Sequence, residues 1–201
     1  MSLVHGVILT MSDTATQNFK KVYAPILDRP ANLRRNINIH NTLIACSLPA
    51  ELEPSVLDQV KTFPWPDQPI EFQICRIYPA SNHYIMGQLD APQITQLHLQ
   101  LIESIQPYLA EHFLPKYLDY ELKPKQYQYL HTYGYHLVKE FFVPHVSLGK
   151  YETSKIRDQE FKQFKQLPIN QHSFVFDRIR LDRGTDSQFG NYEQLWTKQL
   201  I

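Results

Sequence analysis

FFVPHVSLGKY, residues Phe141–Tyr151, is the stretch on which the reading of this chain turns. Its aromatic and β-branched residues read as a strand. Along a strand, residues two apart point to the same side. His145 and Ser147 therefore stand side by side, with Val143, Gly149 and Tyr151 on their face, while Phe142, Val146 and Leu148 turn to the core. An imidazole beside a hydroxyl is half of a site for an oxyanion, and Gly149 would let a ligand approach the backbone closely.

The same four-residue pattern occurs once more, as His40-Asn41-Thr42-Leu43 in the stretch INIHNTLIA, residues Ile37–Ala45. From Asn36 the period is two: Ile37, Ile39, Leu43 and Ala45 share one face, and Asn36, Asn38, His40 and Thr42 share the other. Chance gives roughly 0.1 such tetrads in a chain of this composition, so a pair is not accidental. Bringing the two strands together yields facing imidazoles and two hydroxyl donors. Histidine titrates close to neutrality, so one ring can take a proton from an attacking water or hydroxyl while the other protonates the leaving oxygen. Thr42 and Ser147 would stabilise charge building on the non-bridging oxygens. No Asp/Glu cluster flanks either motif to hold magnesium. The expected site, His40, Thr42, His145 and Ser147, uses no metal and no cofactor.

Outward from the motifs, strands and helices interleave. Leu3–Met11 reads as a buried strand, and Ser12, Asp13 or Thr14 caps a helix whose stripe is Phe19, Val22, Tyr23, Ile26 and Leu27. A short helix covers Glu51–Phe63. Ile70–Tyr78 and His83–Leu89 form a hairpin, and a helix runs from Pro92 to about Leu109. Residues 108–135 hold seven tyrosines and read as an irregular insertion with one short helix. Thr153 caps a further helix; Phe174–Leu181 is the next strand, and the tail through Tyr192, Leu195 and Trp196 is the last. No Gly/Ser tract or charge block divides the chain, which predicts one α+β domain over residues 1–201.

Composition narrows the function. Twenty basic against twenty acidic residues give a formal net charge of +0, which disfavours a nonspecific binder of long duplexes. Six glycines form neither GxGxxG nor GxxxxGK[ST], so dinucleotide and P-loop readings drop out. Cys46 and Cys75 lack any metal or redox spacing, making the reducing cytoplasm the default. No run approaches the roughly 20 apolar residues of a spanning helix, so no membrane partner is expected.

The paired H-x-[ST]-Φ motifs resemble the 2H phosphoesterase superfamily, which includes bacterial RNA 2′,3′-cyclic phosphodiesterases, once called 2′-5′ RNA ligases, and eukaryotic cyclic phosphodiesterases. The opening strand and helix, INIHNTLIA, the middle hairpin and helix, FVPHVSLGKY and a closing strand with Gly190-Asn191-Tyr192 near its end follow the family's order over nearly the whole chain. The resemblance implies a bilobal α+β fold of pseudo-two-fold symmetry: two mainly antiparallel sheets around a central cleft, helices outside, one motif strand per lobe. It implies hydrolysis of a 2′,3′-cyclic phosphate or a 2′-5′ linkage, with a nucleotide or short RNA as partner and the protein acting as a monomer. The 105 positions between the histidines exceed the spacing of compact bacterial members, and the Tyr-rich insertion accounts for the excess. Lys150 and Tyr151 stand where bacterial relatives often carry an Arg soon after the motif.

Tyr151, Tyr133 and Lys150 complete the expected site as substrate-binding residues, Tyr151 by strand parity and Tyr133, with Tyr135, as stacking platforms. Arg34 and Arg35 precede the first motif but read as a solvated loop, as do Lys123 and Lys125. His131 and His136 lack ligand spacing, His98 lies beside the apolar stripe of its helix and His83 sits in the middle hairpin; none is assigned a role. Two other classes compete with hydrolysis. One is a nucleotide or RNA-end binding module; the other is ligation, although no K-x-D-G nucleophile is present.

Overall fold

The computed structural model describes residues 2–33, 39–164, 167, 169–184 and 192–201. Arg34, Arg35, the start of the first motif strand at Asn36 and the Gly190-Asn191 pair lie outside them. Among the described residues, eight strands and five α-helices follow in order: β1 (Ser2–Thr10), α1 (Asp13–Leu27), β2 (His40–Pro49), α2 (Glu53–Thr62), β3 (Ile70–Pro79), β4 (Tyr84–Asp90), α3 (Pro92–Ile105), α4 (Pro124–Tyr133), β5 (His145–Lys150), α5 (Ser154–Phe164), β6 (Phe174–Phe176), β7 (Arg178–Gly184) and β8 (Tyr192–Gln199). The strands make two four-stranded sheets, ordered β2-β1-β7-β8 and β5-β4-β3-β6, with every neighbour antiparallel. Exchanging the sheets maps β2 onto β5 and β1 onto β4. Each motif strand is thus the outer strand of its own sheet.

Helices cross between the halves. Ser12 caps α1, its Oγ accepting from the Ala15 N–H at 3.4 Å, and the buried Phe19, Tyr23, Ile26 and Leu27 turn toward β5 and β6. In return α3, from the second half, packs on β2. None of the described helices is long and apolar enough to cross a membrane.

Two expected strands are cut short. Phe174–Leu181 divides at Asp177, where the chain changes sheet. There the Asp177 N–H donates to the Thr10 carbonyl at 3.1 Å, its carboxylate accepts from the Ser12 N–H at 2.7 Å and its carbonyl accepts from the Leu200 N–H at 2.8 Å. Phe141–Tyr151 is extended and paired only over His145–Lys150, because Lys139–Phe141 form a 3-10 turn and Pro144 has no donor for a ladder. The Tyr-rich insertion holds one 3-10 turn and the single helix α4, which ends at Gly134 with φ 68°. A Cβ there would lie 2.4 Å from the His112 carbonyl oxygen, so only glycine fits.

Both motif strands carry a bulge at the same motif position. Val7 pairs with Ile44 and Ile8 with Thr42, leaving Leu43 as the extra residue; Ile85 pairs with Gly149 and Met86 with Ser147, leaving Leu148. Each bulge reverses the side-chain phase. In β2 the open positions are His40, Thr42 and Ala45, with Asn41, Leu43, Ile44, Cys46 and Leu48 buried; in β5 they are His145, Ser147 and Lys150, with Val146, Leu148 and Gly149 buried. Unbroken alternation had placed Ala45 with Leu43, and Gly149 and Tyr151 with His145. The bulges overturn all three placements.

A side chain from the other half holds each bulge. The Leu43 carbonyl lies 2.7 Å from Nδ1 of His98 on α3, and His98 Nε2 accepts from the Lys139 N–H at 3.0 Å. Those partners define a neutral ring with its proton on Nδ1. The Leu148 carbonyl accepts from Asn32 Nδ2 at 3.2 Å, and the Lys150 N–H donates to Asn32 Oδ1 at 3.2 Å. Asn32 lies just beyond α1, and both clamps are 1% exposed. Burial pulls the His98 imidazole down from 6.5 to about 4, the Leu43 bond opposing and the Lys139 charge adding to the shift.

The unfolded chain therefore takes up a proton at His98 near pH 6.5 that the native state takes up only near 4. Stability present above about 6.5 is lost as the pH falls toward 4, by up to about 3 kcal/mol. Urea unfolding at successive pH values should show this loss. His98→Leu should be less stable by about 3 kcal/mol at pH 7.5, since it strands the Leu43 carbonyl and the Lys139 N–H, and its pH dependence over that window should be flatter. Equal slopes for the two proteins would contradict the role given to the ring.

Candidate active site

The two motif strands meet edge to edge. Asn41, the residue between His40 and Thr42, is fully buried, and its Nδ2 donates to the His145 carbonyl at 2.9 Å. On the same edge of β5 the Leu33 N–H donates to the Lys150 carbonyl at 2.8 Å. Backbone acceptors that an outer strand would leave open are thereby taken, and the second motif is fixed against the first.

Cross-strand register extends each motif into a row, because residues directly opposite in an antiparallel pair share a face. In the first sheet the rows are His40, Thr10, Arg178 and Gln199, and Thr42, Ile8, Arg180 and Thr197. In the second they are His145, Gln88 and Arg76, then Ser147, Met86 and Tyr78, then Lys150 and Tyr84. His40, Thr42, His145 and Ser147 are all half-buried. His145 Nδ1 lies 2.7 Å from the Val143 carbonyl. A carbonyl only accepts, so Nδ1 carries a proton. Ser147 Oγ lies 3.4 Å from Met86 Sδ, a weak contact that a better acceptor displaces.

Of the expected substrate-binding residues, Lys150 alone stands on the motif face. The bulge carries it onto the His145 and Ser147 face, with Nζ 5.4 Å from the centroid of the Tyr84 ring. Tyr151 is 1% exposed and lies behind the strand: a Cβ on Gly149 would meet its Cε2 and hydroxyl at 3.0 Å. Gly149 therefore makes room for a core ring, not for a ligand. Burial, with the Glu160 carboxylate adding, pushes the Tyr151 phenol up to about 12. Tyr133 is buried too, edge-on to Tyr129 at 5.5 Å and under the Lys139 ammonium at 5.0 Å, and Tyr135 packs against Tyr117 and His136. Both belong to the packing of the insertion. A buried phenyl face stabilises the fold more than an exposed one, and this holds for all three rings.

Sequence reading missed Thr10, Arg178 and Arg180 on the His40 face, and Arg76 and Tyr78 on the His145 face. An alternation signal existed in Arg178-x-Arg180, but placing it beside His40 requires the sheet order. A cavity of about 580 Å³ opens over the β1 and β7 part of the first sheet, with Thr10, Ile39, Arg178, Arg180 and Gln199 in its lining and Lys20 on the α1 side. Among the described residues, no three His, Cys, Asp or Glu side chains gather as metal ligands would.

The sequence matches no protein-family model and no curated protein sequence. Solved structures do match. TT0787 of Thermus thermophilus superposes with a TM-score of 0.62 at 11% identity, over 98% of this chain and 97% of that one. E. coli LigT complexed with 3′-AMP gives 0.57 at 11%, over 100% and 98%, and Usb1 of Kluyveromyces marxianus gives 0.50 at 10%, over 96% and 97%. These neighbours are 2H phosphoesterases, and with coverage almost complete in both directions the chain has the 2H phosphoesterase fold.

Proposed function

We propose that the chain is a metal-independent phosphodiesterase that opens 2′,3′-cyclic phosphates or cleaves 2′-5′ linkages in nucleotides or short RNA. The Asn41 bond to the His145 carbonyl carries this reading, because it joins the two H-x-[ST] strands whose imidazoles and hydroxyls share the open faces. In this mechanism one neutral imidazole takes a proton from water as the water oxygen bonds to phosphorus. The P–O bond to the leaving oxygen breaks, and the other imidazole, protonated, supplies that oxygen with a proton. Thr42 and Ser147 donate to the non-bridging oxygens, and Lys150 adds a positive charge on the same face.

The Val143 contact suits His145 to either role, since the same Nε2 presents a lone pair when the ring is neutral and a proton when it is charged. Structural neighbours that share the fold were solved with small phosphate-bearing ligands: LigT with 3′-AMP, with NADP+ and with ATP. A nucleotide-sized substrate agrees with a chain of zero formal net charge.

Turnover of nucleoside 2′,3′-cyclic monophosphates and 2′-5′ oligoadenylates should persist in EDTA. His40→Ala and His145→Ala should each lower kcat/KM by about 10²–10⁴-fold, and Thr42→Val and Ser147→Ala by less. Activity indifferent to both histidine changes would sink the assignment. One ring must be neutral while the other is protonated, so kcat/KM against pH should be bell-shaped, with both limbs present in the same buffer series. A profile with a single limb contradicts paired acid and base catalysis.

A further inference from the structure

Beside the second motif stands a side chain that the proposed mechanism does not use. Met86 of β4 pairs with Ser147 on one side and with Tyr78 of β3 on the other, and all three are half-buried on the open face of the second sheet. The Ser147 hydroxyl donates to Met86 Sδ at 3.4 Å. A thioether is a weak acceptor, so the hydroxyl gives up this contact readily for a phosphate oxygen. A serine has one proton to donate. An acceptor at this place much stronger than sulfur would therefore compete directly with substrate for it.

The other sulfur atoms of the described residues are less open to an oxidant or need activation that Met86 does not. Met11 is 6% exposed and belongs to the core. Cys46 is buried, and burial pushes its thiol up to about 12, so it offers no thiolate to attack a peroxide at neutral pH. Cys75 is half-buried, its Sγ donating to the Gln88 carbonyl at 3.5 Å. A thioether reacts without losing a proton, and its oxide is polar where the sulfur was soft and apolar.

We propose that Met86 is an oxidative modification site: a peroxide converts it to the sulfoxide, whose oxygen holds the Ser147 hydroxyl and withdraws it from substrate. In that step the sulfur lone pair forms an S–O bond as the O–O bond of the peroxide breaks. The thioether is oxidised, and hydrogen peroxide, the simplest such oxidant, leaves as water. The sulfoxide oxygen accepts strongly from the neighbouring hydroxyl, and a sulfoxide reductase reverses the change. The inference rests on the phosphodiesterase reading, in which Ser147 donates to a non-bridging oxygen.

The test treats the Cys75→Ser protein, which lacks the half-buried thiol, with hydrogen peroxide and then with methionine sulfoxide reductase. Peptide mass spectrometry should find Met86 oxidised well before Met11. In step with that oxidation, kcat for nucleoside 2′,3′-cyclic monophosphates should fall severalfold, and it should recover on reduction. Met86→Leu in the same background should keep its own starting rate through the treatment. Ser147→Ala should lose little more on oxidation, because the hydroxyl that the sulfoxide would hold is already gone. Met86 no more reactive than Met11, oxidation without loss of kcat, or a loss that Met86→Leu or Ser147→Ala shares in full overturns the inference and leaves the phosphodiesterase reading intact. If the untreated protein turns over no substrate, that reading has failed, and urea unfolding decides the contact separately. Oxidation should then destabilise the Ser147→Ala protein more than the one that keeps Ser147, since the sulfoxide oxygen has lost its donor. Equal destabilisation overturns the inference.

Discussion

The carbonyls of Leu43 and Leu148 leave their ladders at equivalent points of the two motif strands, and each is caught by a side chain from the opposite half of the molecule. A buried carbonyl without a donor costs about 1–3 kcal/mol, so each bulge persists only where its clamp is in place. The bulges in turn let one short strand serve two masters. Upstream of Leu43 the strand turns His40 and Thr42 to the open face; downstream it sends Ile44, Cys46 and Leu48 into the core without bending away from β1. A regular strand would have to give up either the site or half of its buried side chains.

Because α3 clamps β2 and the end of α1 clamps β5, neither half can hold its motif in register alone. The Asn41 side chain adds a third bond across the joint, and in an interior of low dielectric such bonds strengthen one another. His98 shows the cost of this arrangement. Its ring must stay neutral to accept from the Lys139 N–H, so the clamp of the first motif and the turn leading to the second share one titratable group. Phe142 stacks on that ring with centroids 3.9 Å apart, which shields it from water and explains why burial dominates its shift.

What the chain states openly is chemistry carried by residue type. Two H-x-[ST]-Φ tetrads, a Ser12 cap, the Phe19–Leu27 stripe and Thr153, whose Oγ1 accepts from the Ile156 N–H at 3.2 Å, were all legible, because each depends on neighbours a few positions away. The bulges were not. Leu43 and Leu148 are apolar whichever side they face, so no composition signal marks the extra residue, and everything beyond it was assigned to the wrong face. Tyr151 followed Gly149 into that error. The strand break at Asp177 was hidden for a similar reason, since its hydrogen bonds go to Thr10, Ser12 and Leu200, partners at the far ends of the chain.

The histidine content illustrates how position in the fold divides one residue type into different instruments. His98 has both ring nitrogens committed to backbone partners at 1% exposure, so its pKa falls and it works as an uncharged bracket. His145 has one nitrogen committed to Val143, two residues back along the chain, and stands half-buried on an open face. The same imidazole is thus a strut where two backbone groups hold it, and has a nitrogen left over where only one does. That difference arises from sheet register: His145 precedes the bulge on an outer strand, whereas His98 lies beneath one on a helix. Placement relative to the two bulges, more than the number of histidines, separates the chemistry of this molecule from its scaffold.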